Sequence, residues 1–204
     1  MDTQAHWQKV YTTKNSTEVS WFQKHLELSL EFIKRTKVDK AGYIIDVGGG
    51  TSTLVDDLLA DGFRAVTVLD ISAEAVQVAQ KRLGSRANSV TWLESDIRQV
   101  HLPHHFYDIW HDRAVFHFLT DVQDRQLYLD TVKHCVKPGG HMIIATFALD
   151  GPNRCSGLEV VRYSLDSLHE QFRNDFELVD STNETHKTPF GTEQKFIYCY
   201  WRKR

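Results

Sequence analysis

An α/β fold, with an open and mostly parallel sheet, helices on both faces and an antiparallel C-terminal hairpin, is what this 204-residue sequence predicts. Three observations lead there. Short apolar strands alternate with amphipathic helices from residue 43 to residue 147, and that alternation implies crossover helices between parallel strands. After residue 174 the rhythm breaks. Two extended segments, 176–183 and 195–201, follow with only a turn containing Pro189 and Gly191 between them. No crossover helix fits in that space, so the pair must be antiparallel. Lastly, glycines and acids punctuate one strand end after another, and carboxyl strand ends are where open sheets hold ligands.

Tyr43 to Val47 reads as a buried strand that runs into Gly48-Gly49-Gly50; Leu54, Val55, Leu58 and Leu59 then recur at helical spacing until Gly62. Ala65 to Leu69 is a second strand, ending at Asp70. Ser72 caps a helix with Val76, Ala79 and Leu83 on its apolar face, and Gly84 lies just beyond it. Val90 to Glu94 forms a third strand and Phe106 to Trp110 a fourth, with His111-Asp112-Arg113 expected beyond its end. Asp121 and Asp124 resemble a capping pair opening a helix through Leu127, Val132 and Val136. Lys137-Pro138-Gly139-Gly140 ends that helix, and Met142 to Phe147 makes a fifth strand. With the hairpin, whose tip is expected to carry His186 to the same side as the other strand ends, the sheet has seven strands and is Rossmann-like.

One domain is expected over 1–204: an N-terminal helical cap (1–42), a ligand-binding core (43–147), and a lid loop, helix and hairpin (148–204). In the cap, Phe22, Leu26, Leu30 and Ile33 line one helix face. Lys34, Arg35 and Lys37 read as a solvated helix end.

Composition excludes several classes. At 41% hydrophobic and 25% charged residues the chain is not of disordered type. A net charge of −3 supplies no general attraction to nucleic acid or acidic membranes. The three cysteines, Cys135, Cys155 and Cys199, are far apart and contain no Cys-x-x-Cys, which argues against a disulfide framework or zinc ribbon and suits a reducing compartment. No basic leader with an apolar stretch opens the sequence, and no apolar run approaches the roughly 20 residues of a membrane span. A cytoplasmic location is expected. His101, His104 and His105 cluster, but a proline intervenes and no carboxylate or cysteine completes a ligand set, so no metal is expected.

Four polar features fall at strand ends. Asp46-Val47-Gly48-Gly49-Gly50-Thr51 allows a sharp turn and close ligand approach, and the helix after it offers N–H groups to a carboxylate. Asp70, 20 residues after Gly50, suits a pair of ribose hydroxyls. Asp96, with the Ile97 backbone beside it, suits an adenine amino group. His111-Asp112-Arg113 would face the reacting end of the ligand. A dinucleotide fingerprint needs a third glycine beside a pyrophosphate; Gly48 and Gly50 match, but Thr53 holds the last position, and no phosphate-binding Gly-Lys-Ser/Thr loop is present. S-adenosylmethionine has no phosphates and does not need that glycine.

On these residues the segment 43–147 resembles class I S-adenosylmethionine-dependent methyltransferases, and the hairpin resembles the reversed last strand of that fold. The stretch from Trp7 to Gln23, with Tyr11 and Glu18-Val19-Ser20-Trp21-Phe22, is similar to methyltransferase-like proteins that include lysine methyltransferases. Trp110-His111-Asp112-Arg113-Ala114 resembles the Trp-Asp-Arg-Gly segment of thiopurine methyltransferases, with histidine inserted and alanine for glycine. The resemblance implies methyl transfer from S-adenosylmethionine, with S-adenosylhomocysteine as product. It implies that Asp46, Gly48 and Gly50 meet the methionine part, Asp70 the ribose, Ile71 the adenine face and Asp96 the adenine amino group. Asp112 would then lie near sulfonium and acceptor.

In-line methyl transfer needs alignment in a site sheltered from water, and a base only where the acceptor must lose a proton. Asp112, His111 and His117 are the candidates for base or acceptor clamp. Trp21 and Phe22 either pack in the core or cap the donor pocket, where an aromatic face favours cationic sulfur. The loop bearing Cys155 is expected to touch the acceptor, with no activating partner for the thiol itself. The expected acceptor is a protein lysine or a small nucleophile. No Asn-Pro-Pro-Tyr-like segment follows the fourth strand, which counts against adenine in DNA and against glutamine as acceptors. The competing readings are a catalytically silent binding module and an NAD-dependent oxidoreductase. Oligomeric state is not legible.

Overall fold

The computed structural model describes residues 3–204; the first two residues of the expected cap lie outside the described residues. Helices α1 (Thr3–Thr13) and α2 (Glu27–Arg35) precede strand β1 (Tyr43–Val47). Then come α3 (Leu54–Ala60), β2 (Ala65–Asp70), α4 (Ala73–Leu83), β3 (Val90–Glu94) and β4 (Tyr107–Arg113). After α5 (Val122–Cys135) and β5 (Val136–Phe147), a two-stranded ribbon, β6 (Arg154–Cys155) and β7 (Leu158–Glu159), sits in the loop before α6 (Leu165–Phe172). The hairpin β8 (Phe176–Lys187) and β9 (Glu193–Lys203) ends the chain.

The sheet has seven strands in the order β3-β2-β1-β4-β5-β9-β8. β1 to β5 are parallel, and β9 runs antiparallel to both β5 and β8. The order reverses between β1 and β4, so the cleft lies outside the ends of those two strands. Four of the five β1 residues are buried, as a central strand covered on both faces requires. One apolar layer, under α5 and α6, includes Trp110, Tyr128, Phe172 and Trp201; the other, under α2 and α3, includes Phe32, Leu54, Phe196 and Tyr198.

Local chemistry explains the boundaries. Ser72 Oγ accepts the Ala75 N–H at the start of α4, and Gly84 adopts φ 59° beyond its end. Asp121 caps α5 by accepting the Gln123 N–H, whereas Asp124 is turned to Arg98 instead of acting in the cap. α2 begins only at Glu27 and buries Ser29, Phe32 and Ile33; Phe22 stands outside it, which shifts the buried face from the one the spacing suggests. β5 starts at Val136, and Lys137 to Gly140 form an irregularity in its pairing with β4.

The departure with most consequence is β4, which runs three residues past Trp110. His111, Asp112 and Arg113 are therefore strand residues, paired opposite Ile143, Ile144 and Ala145. The hairpin strands are also longer than the sequence suggests; β8 runs parallel to the central strands, so His186 lies on the side of the other strand ends as expected, but buried near the end of β8 and not in the turn. No helix among the described residues is long and apolar enough to cross a membrane.

Candidate functional site

At the end of β1 the chain reverses through Gly48 (φ 66°), Gly49 and Gly50 (φ 40°), and the N–H groups of Gly48 and Gly49 donate to Leu69 O at the end of β2. Side chains are excluded here by contact as well as by conformation. A Cβ on Gly48 would come within 2.0 Å of Val115 Cγ2, and one on Gly50 within 2.7 Å of Asp70 Oδ2. The turn borders a cavity of about 270 Å³ that runs along the carboxyl ends of the strands. Of the residues expected to bind the donor, Gly48, Asp70, Ile71, Asp96, Ile97 and Trp21 line it. Gly50 lies beneath Asp70, and Asp46 lines a smaller cavity of about 40 Å³. The two cavities share Tyr11, Trp21, Gly48 and Arg113 and so abut.

The acids differ in how they are held. Asp70 is buried, and its Oδ1 accepts the Ser72 N–H at 2.8 Å. Burial pushes its pKa up to about 7, against the pull of the Ser72 N–H and with a further push from the Asp46 carboxylate. Asp96 is grasped by Arg98, whose Nε lies 2.9 and 3.0 Å from its two oxygens and whose Nη1 donates to Asp124 at 2.9 Å. Burial alone would raise the Asp96 pKa, but the hydrogen bonds and charge of Arg98 hold it below the usual value.

Strand alternation sorts the end of β4. His111 and Arg113 point to the α2 side, while Asp112 points to the α5 side. His111 is buried between Asp46 (Nδ1 to Oδ1, 2.7 Å) and Ser29 (Nε2 to Oγ, 2.8 Å) and borders the smaller cavity. Asp112 is fully buried and lines neither of these cavities. Its carboxylate accepts the Tyr128 hydroxyl at 2.6 Å, the Val115 N–H at 2.8 Å and the Phe116 N–H at 3.1 Å. Burial pushes its pKa up to about 6, and the Tyr128 hydroxyl opposes that shift. The expectation that Asp112 faces the acceptor thus gives way to a carboxylate that ties β4 to α5 and to the following turn. His117 is likewise fully buried and lines neither cavity: its Nδ1 accepts the Phe147 N–H at 3.3 Å, and burial, with the Arg113 charge, pushes its pKa down to about 3.

Arg113, singled out in the sequence only as part of the His111-Asp112-Arg113 segment, lines both cavities. Nε donates to Tyr198 Oη at 2.9 Å and Nη1 to Trp21 O at 3.1 Å, and the guanidinium lies 4.6 Å from the Phe196 ring centroid. Alternation along Ile109-Trp110-His111-Asp112-Arg113 was the signal that could have found it. Trp7 and Tyr11 of α1 are further lining residues; the Trp7 ring packs edge-on to Trp21 at 5.8 Å and to Phe118 at 5.1 Å. Cys155, from the loop after β5, is buried in the cavity wall, its thiol pKa pushed up to about 11 by burial. His104 stacks on His105 at 3.6 Å, and no group of three or more ligand side chains suited to a metal occurs among the described residues.

This strand order, with a glycine turn and acids along one rim, is a Rossmann-like arrangement shared with solved S-adenosylmethionine-dependent methyltransferases. A family model described as a methyltransferase domain matches residues 45–144, and with the fold this match supports a class I S-adenosylmethionine-dependent methyltransferase. It is 25% identical over 149 residues to the mouse eEF1A lysine and N-terminal methyltransferase, covering 70% of this chain and 21% of that protein; the human counterpart is 22% identical. The chain therefore spans about a fifth of the length of these curated relatives. In fold it matches a SAM-dependent methyltransferase from Anabaena variabilis, with TM-score 0.76, 16% identity and coverage of 100% and 96% of the two chains. It also matches the Burkholderia thailandensis 1,6-didemethyltoxoflavin-N1-methyltransferase, solved with its substrate and S-adenosylhomocysteine, with TM-score 0.70, 19% identity and coverage of 98% and 84%.

Proposed function

We propose that this chain methylates an amine, with a protein lysine side chain as the leading acceptor, using S-adenosylmethionine held along the rim just described. The residues present fit that donor. Asp70 offers a buried carboxylate to the ribose hydroxyls, Ile71 an apolar surface to the adenine, and Asp96 with the Ile97 backbone a polar edge to its amino group. Gly48 and Gly50 give the space that a Cβ would fill, and Asp46 keeps one oxygen, Oδ2, buried and without a partner. When bound, S-adenosylmethionine supplies a methyl carbon already activated by a positive sulfur. The protein's part is alignment and exclusion of water. Trp21, Trp7 and Phe118 wall the cavity, Trp7 packing edge-on against the other two, and their aromatic faces favour a cationic group.

The observation that carries the amine reading is that, among the described residues, no side chain at the aromatic end of the cavity is placed to act as a base. His111, Asp112 and His117 are held by internal hydrogen bonds and do not line it. Of the ionisable groups that do line the cavity, Tyr11 and Cys155 have pKa values raised by burial, Asp96 and Asp124 are bound to Arg98, and Asp70 is assigned in this reading to the ribose of the donor. A nucleophile must then arrive with its lone pair free, as an amine does after losing its proton to water. The mouse relative, a lysine and N-terminal methyltransferase, supports the same class. A small amine is the second reading, favoured by the enclosure that α1 and Trp21 make over the cavity. A cytoplasmic setting suits the three cysteines, all free.

The test is incubation of a lysate with methyl-labelled donor and purified protein, followed by hydrolysis and amino-acid analysis. Label in methyl-lysine or an N-terminal methylamine supports the leading reading, and label in a small methylamine the second. Base-labile label on oxygen, or tight binding of NAD with no response to S-adenosylmethionine or S-adenosylhomocysteine, would overturn both.

A further inference from the structure

The larger cavity has two unlike ends, set by the strand order. Asp70 and Asp96 stand at β2 and just past β3, on one side of the reversal between β1 and β4; Phe147 and Phe196 belong to β5 and β9 on the other. Toward that second side the wall is built from the rings of Trp7 and Tyr11 on α1, of Trp21, and of Phe118, which follows β4. Trp7 meets Trp21 at 80° and 5.8 Å and Phe118 at 78° and 5.1 Å, and Tyr11 meets Trp21 at 82° and 6.2 Å. Rings set so steeply to one another make an angular box. Its carbonyl groups are already engaged: that of Trp21 by Arg113 Nη1, that of Val115 by the Phe118 N–H, that of Phe118 by the Thr120 N–H, and that of Phe147 by the Tyr163 N–H. Tyr11 turns its hydroxyl to the glycine turn, where a Cβ on Gly50 would lie 3.1 Å from Tyr11 Oη. Arg113 lines the same end, but it rests on the Phe196 ring at 4.6 Å, and Glu184 Oε2, 3.6 Å from Nη2, offsets its charge.

We propose that this box carries the acceptor amine to the quaternary ammonium, and that a nitrogen already bearing methyl groups is its preferred substrate. The proposal rests on the amine reading above and adds the extent of methylation. An N–H of a bound ammonium finds none of these oxygens free, and a polar hydrogen buried without a partner is costly. A methyl group in its place removes that cost and packs on ring faces that also favour the positive charge. In each round the nitrogen lone pair forms the new N–C bond while the S–C bond of the donor breaks and its electron pair stays on sulfur. A primary or secondary amine must then shed a proton to water. A tertiary amine has none to shed, so the positive charge passes from sulfur to nitrogen and no base takes part. The series stops there, because the nitrogen has no lone pair left.

Calorimetry in the presence of saturating S-adenosylhomocysteine tests the box without turnover. The probes are the Nα-acetyl methyl amides of lysine, Nε-dimethyl-lysine and Nε-trimethyl-lysine, and a neutral analogue with tert-butyl in place of trimethylammonium. The trimethyl probe is expected to bind about tenfold or more tightly than both lysine and the tert-butyl analogue, the scale of a cation–π contact out of water. Trp21→Leu and Trp7→Leu should bring those ratios toward one, and Trp21→Phe, which keeps a ring face, should retain much of them. S-adenosylhomocysteine affinity reports that each variant is folded; should Trp21→Leu lose it, Trp7→Leu carries the comparison. A second readout resolves the labelled products of the lysate by number of methyl groups, with the quaternary ammonium expected to dominate. Equal binding of the probes, binding of none, or products that stop short of the quaternary ammonium would overturn the box while leaving the amine reading intact. Label on no amine at all would overturn the amine reading, and the box with it.

Discussion

Asp70 and Asp112 invite comparison. Both are buried aspartates at the carboxyl ends of parallel strands, and burial raises both pKa values, to about 7 and about 6. Yet Asp70 borders the cavity, where its donors are backbone N–H groups, whereas Asp112 spends its oxygens on Tyr128, Val115 and Phe116. A perturbed carboxyl at a strand end is therefore not by itself a sign of function. What separates the two is whether a lone pair still faces open space, and on neighbouring strand residues alternation decides that.

The largest effect expected from this contrast is on stability. Asp112→Ala strips the partner from a buried hydroxyl and two buried N–H groups, and loss of one member of such a network costs about 3–5 kcal/mol. Urea unfolding should register that loss, while S-adenosylhomocysteine affinity of the folded protein stays near that of the unmodified chain. A clear loss of affinity with unchanged stability would return Asp112 to the site.

Next in size is a pH effect at Asp70. Its folded pKa lies above the ordinary value of 3.8, so between about 4 and about 7 the folded state binds more protons than the unfolded state. Stability from this group is full below about 4 and declines as pH rises through about 7. At roughly 1.4 kcal/mol per pKa unit the decline is on the order of a few kcal/mol. Asp112 contributes with the same sign up to about 6, and His117, depressed to about 3, with the opposite sign up to 6.5. The difference between the unmodified protein and Asp70→Asn isolates the Asp70 part: it should fall with pH across that window, and a flat difference would contradict the assignment.

On ligand binding the same residue has a smaller effect. Asp70→Ala should weaken S-adenosylhomocysteine by about 1–3 kcal/mol, the scale of hydrogen bonds to a charged group. An unchanged dissociation constant by calorimetry would remove Asp70 from the site.

The contrast also explains how far the sequence could be read. The glycine turn, Asp70, Ser72 and the hairpin are local signals, each written in a few adjacent residues, and they stand where the spacing placed them. The β4 end is different. His-Asp-Arg has the look of a loop, and nothing local says that a strand continues through it. Its partners lie far off in sequence, with Asp46 65 residues and Ser29 82 residues from His111. Arg113 is anchored by Tyr198 and by a carbonyl at residue 21, contacts that exist only once the hairpin and the N-terminal segment have packed. The cap was hard to read for a related reason: Tyr11 and Trp21 enter the cavity wall from α1 and from a stretch without helical or strand periodicity.

The smallest effect concerns the residue between the two faces of this argument. Ala114 has φ 74°, a left-handed conformation that costs a side-chain-bearing residue roughly 1–2 kcal/mol. The strain follows from what surrounds it: Asp112 draws the Val115 and Phe116 N–H groups back onto its own carboxylate, and the Ala114 N–H donates to Ala145 O at 2.9 Å. The chain makes all three bonds while turning through the left-handed region. Glycine there would relieve the strain but lose about 0.5–1 kcal/mol through the greater freedom of the unfolded chain. Ala114→Gly should accordingly be neutral or stabilising by up to about 1 kcal/mol in urea unfolding, the reverse of the usual alanine-to-glycine loss. If it destabilises like an ordinary strand or helix substitution, the turn is not the strained consequence of Asp112 that its geometry indicates.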